Sequence, residues 1–404
     1  MSEKQLTWIP HIPLIGGFPI GAEIALGTAP EFIASLPGFL GNDKHYINHQ
    51  NVTLARNIQY VPIDPTDMKF ERKINIVVGT PPCAALSQLN TGKNDEVKGS
   101  GCAKNEFMYT VFEHGMKKFD ADVIIVENAP ALFTEKGADV AKGLYELCTA
   151  NGYSMTLYKT TTDQHGIPQR RDRTFAFAWK SECAPVLDWI NKPRDTFADY
   201  INSVDESASL QSEIINSQLM EDGYYAFIDA TLGDPRKIIV KEDCVTCFKY
   251  VLKMNILNEA YEWNMIHGDD RAKRLLSHAK AKRDSGKGAW DGSIHIFDDV
   301  MHAVIGRNMN DTIHPTKDRS LTVREAMHMM GLPHNFELMN GRKSLNHIAQ
   351  NVPTCTAADM VRQAVKFING ELRSSEAKLV KQNNWTRVTE YFDLLPAPSL
   401  SEFF

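Results

Sequence analysis

Ile74-Asn75-Ile76-Val77-Val78-Gly79-Thr80-Pro81-Pro82-Cys83 is the stretch that decides the fold. Its apolar run, INIVVGT (74–80), suits a strand covered on both faces. VIIVEN (123–128) is a second such run, and YSMTLYKT (153–160) and TFAFAW (174–179) supply two more. Helical patterns fill roughly 103–118 and 135–150 between them. Strand and helix alternating at this spacing predict right-handed crossovers and a doubly wound, mostly parallel, Rossmann-like α/β sheet. In such sheets ligands sit beyond the carboxyl ends of the strands. The turns GTPPCAALS and ENAPALF fall at two of those ends.

The pattern changes near residue 181. From there to about 318 the periodicity weakens and the charge is patchy. A helix resumes at LTVREAMHMMGL (321–332), with Glu325 early and Gly331 as its stop, and another runs from Thr354 to about 368. The last 36 residues are polar with a few aromatics, and read as an appended helix and a mobile tail. The chain of 404 residues is long for one compact domain. Two lobes are expected, the first over 1–180.

Apolar residues at 43% and charged residues at 23% exclude disordered, collagen-like and membrane classes. No apolar run spans a bilayer and no secretory signal is visible. Seven scattered cysteines argue for a reducing compartment, so a cytoplasmic protein is expected. Cys244 and Cys247 form a lone C-x-x-C without a second pair, so no metal is expected. The net charge of −6 does not announce a polyanion partner, although a local basic patch remains compatible with it.

Three places carry chemistry. Two prolines hold Cys83 in a rigid turn at a strand end, a placement that suits a thiolate nucleophile. Glu127 follows an apolar strand, where a carboxylate is costly to bury unless paired or used. A raised pKa there would make it a proton donor. In Gln169-Arg170-Arg171-Asp172-Arg173, alternate residues share a face, so Gln169, Arg171 and Arg173 point together.

Together these places resemble the cytosine-5 DNA methyltransferase family. Pro-Pro-Cys with Ser87 resembles its nucleophile loop, Glu127-Asn128 its Glu-Asn motif, and Gln169-x-Arg171-x-Arg173 after Gly166-Ile167-Pro168 its Gln-x-Arg-x-Arg motif. Leu321-Thr322-Val323-Arg324-Glu325 with Gly331-Leu332-Pro333 resembles a later helix motif, and Asn351-Val352-Pro353 the end of the last one. The resemblance implies a methyl group moved from S-adenosylmethionine to carbon 5 of a cytosine flipped out of double-stranded DNA. Cys83 would add to carbon 6, Glu127 would protonate ring nitrogen 3, and Arg171, with Gln169 and Arg173, would stabilise the base. It also implies a loop, 84–104, that closes over the base, with Ser87, Lys93 and Lys98 meeting phosphates.

The donor half departs from the family pattern. Ile15, Gly16, Gly17 and Phe18 fit its Gly-rich turn, but Ile12 stands where an aromatic is usual and Leu14 where a glycine is. Gly41 falls where an acidic residue should hold the ribose, with Asp43 as its substitute. Pro62 falls where another acid should meet the adenine, with Asp64 two residues late. Ala349-Gln350 replaces a Gly-Asn pair. The resemblance therefore implies a donor site of Ile15, Gly16, Gly17, Phe18, Asp43, Asp64, Pro82, Gln350 and Asn351. S-adenosylmethionine is expected there, with a modified analogue such as carboxy-S-adenosylmethionine as a rival donor. The same motifs are also compatible with an RNA substrate, or with a catalytically silent DNA-binding protein.

The resemblance makes 181–334 a smaller target-recognition lobe and implies that 335–404 returns to the first lobe, because the family's last motif packs beside its first. Arg271, Lys273, Arg274, Lys282 and Arg283 crowd into one short stretch of it and suit phosphate contacts, although a solvated helix face explains them too. A monomer is expected.

Overall fold

The protein is described by a computed structural model covering residues 5–35, 60–62, 73–82, 86, 105–205, 211–215, 224–233, 247–285, 297–304 and 312–395. The chain forms two compact units, one of 1–194, 330–332 and 351–404, the other of 195–329 and 333–350.

The first unit is built on a nine-stranded sheet among the described residues. Its strands are β1 (Trp8–His11), β2 (Ile33–Ser35), β3 (Tyr60–Pro62), β4 (Ile76–Gly79), β5 (Val123–Asn128), β6 (Ser154–Thr161), β7 (Asp172–Trp179), β8 (Ala377–Asn383) and β9 (Val388–Leu394). They lie in the order β9-β8-β6-β7-β5-β4-β1-β2-β3. Pairing is parallel from β3 through β5 and between β6 and β8. It is antiparallel on both sides of β7 and between β8 and β9. The doubly wound α/β sheet is therefore present, with TFAFAW running against its neighbours. The connection 162–171 is shorter than the dozen or so residues that a parallel crossover needs, so β7 returns antiparallel.

Successive side chains of the central strands enter opposite cores, as strand geometry requires. Helices α2 (Glu106–Lys117) and α3 (Ala138–Ala150) cover one face, where Val77, Ile124 and Val126 pack with Met108, Phe112, Val140 and Leu144. Helices α1 (Gly17–Leu26) and α4 (Thr354–Ile368) cover the other, where Ile76, Val78 and Ile125 pack with Phe18, Phe175, Val361 and Ala364. Glycine lets α1 and α4 touch: a Cβ on Gly21 would lie 2.5 Å from both the Thr354 carbonyl and the Ala357 methyl.

The C-terminal segment corrects the sequence reading. Instead of the appended helix, β8 and β9 form a hairpin whose first strand pairs with β6, while the expected tail at 396–404 lies outside the described residues. A strand edge left open on β6 would expose a row of unpaired backbone groups, and pairing with β8 satisfies them. Val388, Thr389, Tyr391 and Phe392 are strand formers, which a composition-based reading missed.

In the second unit, helices span Phe197–Asn202, Tyr224–Thr231, Cys247–Met254, Leu257–His267, Asp270–Asp284, Val323–His328 and Leu345–Gln350. The helix expected over 321–332 is shorter than its pattern. Thr322 and Glu325 close its start as a reciprocal capping box, and it ends at His328, before Gly331 at φ 66°. No helix among the described residues is long and apolar enough to cross a membrane.

Candidate functional site

Glu127 lies at the end of β5 in the middle of the sheet and is 1% exposed. The antiparallel register pairs Glu127 with Phe175 and Asn128 with Thr174, which brings the next residue along, Arg173, alongside the carboxylate. Its Nε lies 2.6 Å from Glu127 Oε1. Burial pushes the Glu127 pKa up, and the pull of Arg173 and Arg171 does not cancel it.

The alternation expected for Gln169–Arg173 is present. Gln169 and Arg171 are buried, Arg170 between them is exposed, and Arg173 reaches Glu127. Gln169 Nε2 lies 3.7 Å from the Met330 sulfur. An Arg171 amino group donates to the Asn351 carbonyl at 2.9 Å. The segment is braced from below. His165 Nδ1 meets Asp359 on α4 at 2.9 Å, and its Nε2 meets Thr160 Oγ1 at 2.8 Å. Gly331 fits against the same brace, because a Cβ there would lie 2.3 Å from Thr354 Oγ1 and 3.2 Å from Ile167 Cδ1. The sequence reading did not single out His165 and Asp359; neither falls in a motif it used.

Asn351 joins this segment to the Gly-rich turn. Its Oδ1 accepts from the Gly17 backbone N–H at 2.8 Å, and a Cβ on Gly17 would meet the Val352 carbonyl at 2.1 Å. Asn351 Nδ2 is buried without a hydrogen-bond partner among the described residues. Gly16, at φ 107°, caps α1. Ile15 and Phe18 are buried, and Phe18 meets Phe175 edge to face with centroids 6.0 Å apart. Ile12 and Leu14 both take left-handed backbones, at φ 55° and 53°, so the turn keeps a glycine-like shape at two positions without glycine.

Thr80 and the two prolines follow β4 directly. The Thr80 N–H donates to the His11 carbonyl at 3.4 Å, Pro81 is buried and Pro82 half-buried. Cys83, Ser87, Lys93 and Lys98 lie outside the described residues, as do Asp43 and Asp64. His11 and His114 were not anticipated. Their rings meet at 2.9 Å beneath this strand end, and burial first, then His114, lowers the His11 pKa to about 3.

The remaining expected residues fall in the second unit. Gln350 is exposed at the end of the helix Leu345–Gln350. Arg271, Lys273 and Arg274 lie on the helix Asp270–Asp284, with Arg274 exposed and the other two half-buried. Lys282 and Arg283 lie on that helix too, their side chains outside the described set. Glu325 has a structural part here. It takes both Arg319 amino groups, at 2.7 and 2.8 Å, and the Thr322 N–H. Burial would raise its pKa, but Arg319, His314 and Thr322 overcome this and hold it far below the usual carboxylate range.

The family model described as C-5 cytosine-specific DNA methylase matches residues 44–365. Among curated relatives, a type II methyltransferase of Bacillus paralicheniformis, M.Bpa9945I, is 21% identical over 373 residues, which is 84% of this chain and 82% of the relative. The type II methyltransferase M.AgeI of Thalassovita gelatinovora is 25% identical over 26% of this chain and 23% of its own length. Among solved structures, the Entamoeba histolytica methyltransferase EhMeth aligns with a TM-score of 0.53 at 13% identity, covering 91% of this chain and 99% of its own. The S. pombe Dnmt2 methyltransferase aligns with a TM-score of 0.51 at 11% identity, covering 91% and 100%. At such identities the structural likeness speaks for the fold alone.

Proposed function

The chain belongs to the C-5 cytosine-specific DNA methylase family and is a DNA cytosine methyltransferase; we propose that it works through a covalent Cys83 adduct on a cytosine flipped out of double-stranded DNA, with S-adenosylmethionine as donor. Carbon 5 of cytosine is a poor nucleophile. A thiolate adding to carbon 6 makes carbon 5 nucleophilic, and the electron pair moves toward ring nitrogen 3. Glu127 meets that demand by giving nitrogen 3 a proton. Arg171 and Arg173 supply positive charge at the same edge, with Gln169 packed beside them. S-adenosylmethionine, when bound, supplies the methyl group. Loss of the carbon 5 proton and departure of the thiolate then restore the ring. A base within a duplex hides these atoms, so it must leave the stack.

The observation that carries this reading is the buried Glu127 carboxyl, its pKa raised, held against Arg173 at a strand end. For the donor, the turn at 12–17 and the buried Asn351 Nδ2, without a partner among the described residues, fit a ligand with a carboxylate or hydroxyl to offer. Ile15, Gly16, Gly17, Phe18 and Asn351 would hold it, with Asp43, Asp64, Pro82 and Gln350 proposed to complete the site. Residues 181–334 would read the target sequence in a monomeric enzyme, with Arg271, Lys273, Arg274, Lys282 and Arg283 on phosphates; Ser87, Lys93 and Lys98 are proposed to meet phosphates too.

Duplex DNA carrying 5-fluorocytosine tests the reading, because fluorine blocks the last step and leaves the adduct in place. The chain with S-adenosylmethionine should give a species that survives denaturing electrophoresis, and Cys83→Ala should give none. An adduct that persists in Cys83→Ala rejects the assignment.

A further inference from the structure

A second site lies on the reverse side of the Gln169–Arg173 segment. Arg170 and Asp172 alternate with the residues described above, so they face away from Glu127. There they border a cavity of about 260 Å³ with Lys159, Thr161, Asn383 and Trp385. The C-terminal hairpin, absent from the sequence reading, builds its outer wall.

Four features of this cavity ask for a ligand. Trp385 is 57% exposed, yet the chain around it is firmly held. Asn383 Oδ1 accepts from the Trp385 and Thr386 N–H groups at 3.1 and 3.3 Å. The buried Asn384 side chain donates to Thr160, Gln164 and the Ile190 carbonyl. Folding alone gives no reason to fix a large apolar ring in water. A stacking surface has one, since a ring held in advance loses little entropy on binding.

The second feature is charge. The Arg170 guanidinium lies 5.7 Å from the Trp385 ring centre, and Lys159 joins it, set against one carboxylate, Asp172, 3.9 Å from Lys159. Third, Thr161 Oγ1 is buried with no hydrogen-bond partner among the described residues. Fourth, a similar cation–aromatic pair, Arg387 at 5.5 Å from the Trp189 ring centre, continues the surface along the hairpin. The cavity is smaller than the roughly 300 Å³ at which drug-sized sites begin. It suits one phosphate-bearing unit, with the rest of the ligand running over open surface.

We propose that this cavity binds single-stranded DNA, with a phosphate on Lys159 and Arg170, a hydrogen bond from Thr161, and an unstacked base on the Trp385 ring. Aromatic rings with interleaved cations hold single strands without reading sequence. A guanidinium offers a phosphate two parallel hydrogen bonds. The inference rests on the reading of this chain as a DNA-acting enzyme, and lies outside its cytosine site.

The test is anisotropy titration of the full chain with a labelled oligothymidylate of about ten nucleotides, which offers no cytosine. Trp385→Ala should weaken binding about tenfold, and Trp385→Phe should retain most of it. Lys159→Ala should lower the slope of log affinity against log salt by about 0.7. Equal affinity in wild type and Trp385→Ala, or no binding by wild type, overturns the proposal. Tighter, Trp385-dependent binding of oligouridylate assigns the cavity to RNA and also overturns it. Methylation of a blunt cytosine duplex, scored by mass spectrometry of the base, is measured alongside. Its loss in wild type with Trp385-dependent oligothymidylate binding intact strikes the proposed function and leaves the cavity standing.

Discussion

Two segments of the first unit meet at Asn351, and they keep the family pattern in different ways. Gln169–Arg173 retains each side chain that the chemistry names: Arg173 pairs with Glu127, and Arg171 donates to the Asn351 carbonyl. The turn from Ile12 to Gly17 retains a shape instead. Ile12 and Leu14 replace the expected residues, and both are bent into left-handed backbones. Such a backbone costs an L-residue about 1–2 kcal/mol. Both side chains are buried, and burying an Ile or Leu contributes about 1.5–3 kcal/mol, enough to offset the strain. Where a segment supplies backbone form, another residue can be forced into it. Where it is proposed to supply positive charge, the expected residue types are present.

The largest expected effect is at the chemical side. Glu127→Gln keeps the shape and removes the proton donor, so the single-turnover rate should fall about 10²–10⁴-fold. The sign of the pH dependence follows from the raised pKa. With Glu127 proposed as the proton donor, the working form would be the protonated one, so the wild-type rate should decline as pH rises through that pKa, and Glu127→Gln should lack that decline. A Gln variant turning over near the wild-type rate would break the comparison, since a merely structural Glu127 tolerates its isostere.

What was legible in the sequence follows the same division. Glu127, Gln169, Arg171 and Arg173 could be named from spacing and chemistry, because a strand end and two-residue alternation place them. The apolar runs at 74–80 and 123–128 gave their strands for the same reason. The hairpin β8–β9 carried only a weak local signal in Val388, Thr389, Tyr391 and Phe392, because its first strand pairs with β6, far away in sequence, and local composition carries no trace of that edge. The left-handed backbones of Ile12 and Leu14 were hidden too, since neither residue type signals that form. Trp385 was overlooked as one of a few aromatics in a polar tail.

His11 sits between the two segments in kind as well as in place. It ends β1, its carbonyl receives the Thr80 N–H at the end of β4, and the strained turn begins at the next residue. Its pKa is lowered to about 3 by burial and by His114. The unfolded chain takes up a proton near pH 6.5 that the folded chain refuses until about pH 3, so stability is lost as pH falls below 6.5. The loss approaches about 1.4 kcal/mol per pH unit for this one group. Urea unfolding at a series of pH values should show that decline, and His11→Leu should make it shallower by about one proton. An unchanged slope would mean that His11 is not held neutral, and that the strand end is looser than its buried ring pair implies.

The smallest effect sharpens the comparison most. At an ordinary buried leucine, truncation to Gly costs more than truncation to Ala, because Gly adds about 0.5–1 kcal/mol of backbone entropy to the lost packing. At Leu14 Gly gives up one carbon more than Ala, but that Cβ is the atom that makes a left-handed backbone costly, and only Gly sheds this strain of about 1–2 kcal/mol. The order should therefore reverse, with Leu14→Gly more stable than Leu14→Ala by about 0.5–1 kcal/mol in urea unfolding. Leu144, buried inside α3, is the control in which the ordinary order should hold. If Leu14 follows the control, the turn keeps its form without strain, and the distinction between a segment chosen for its side chains and one chosen for its backbone loses its energetic basis.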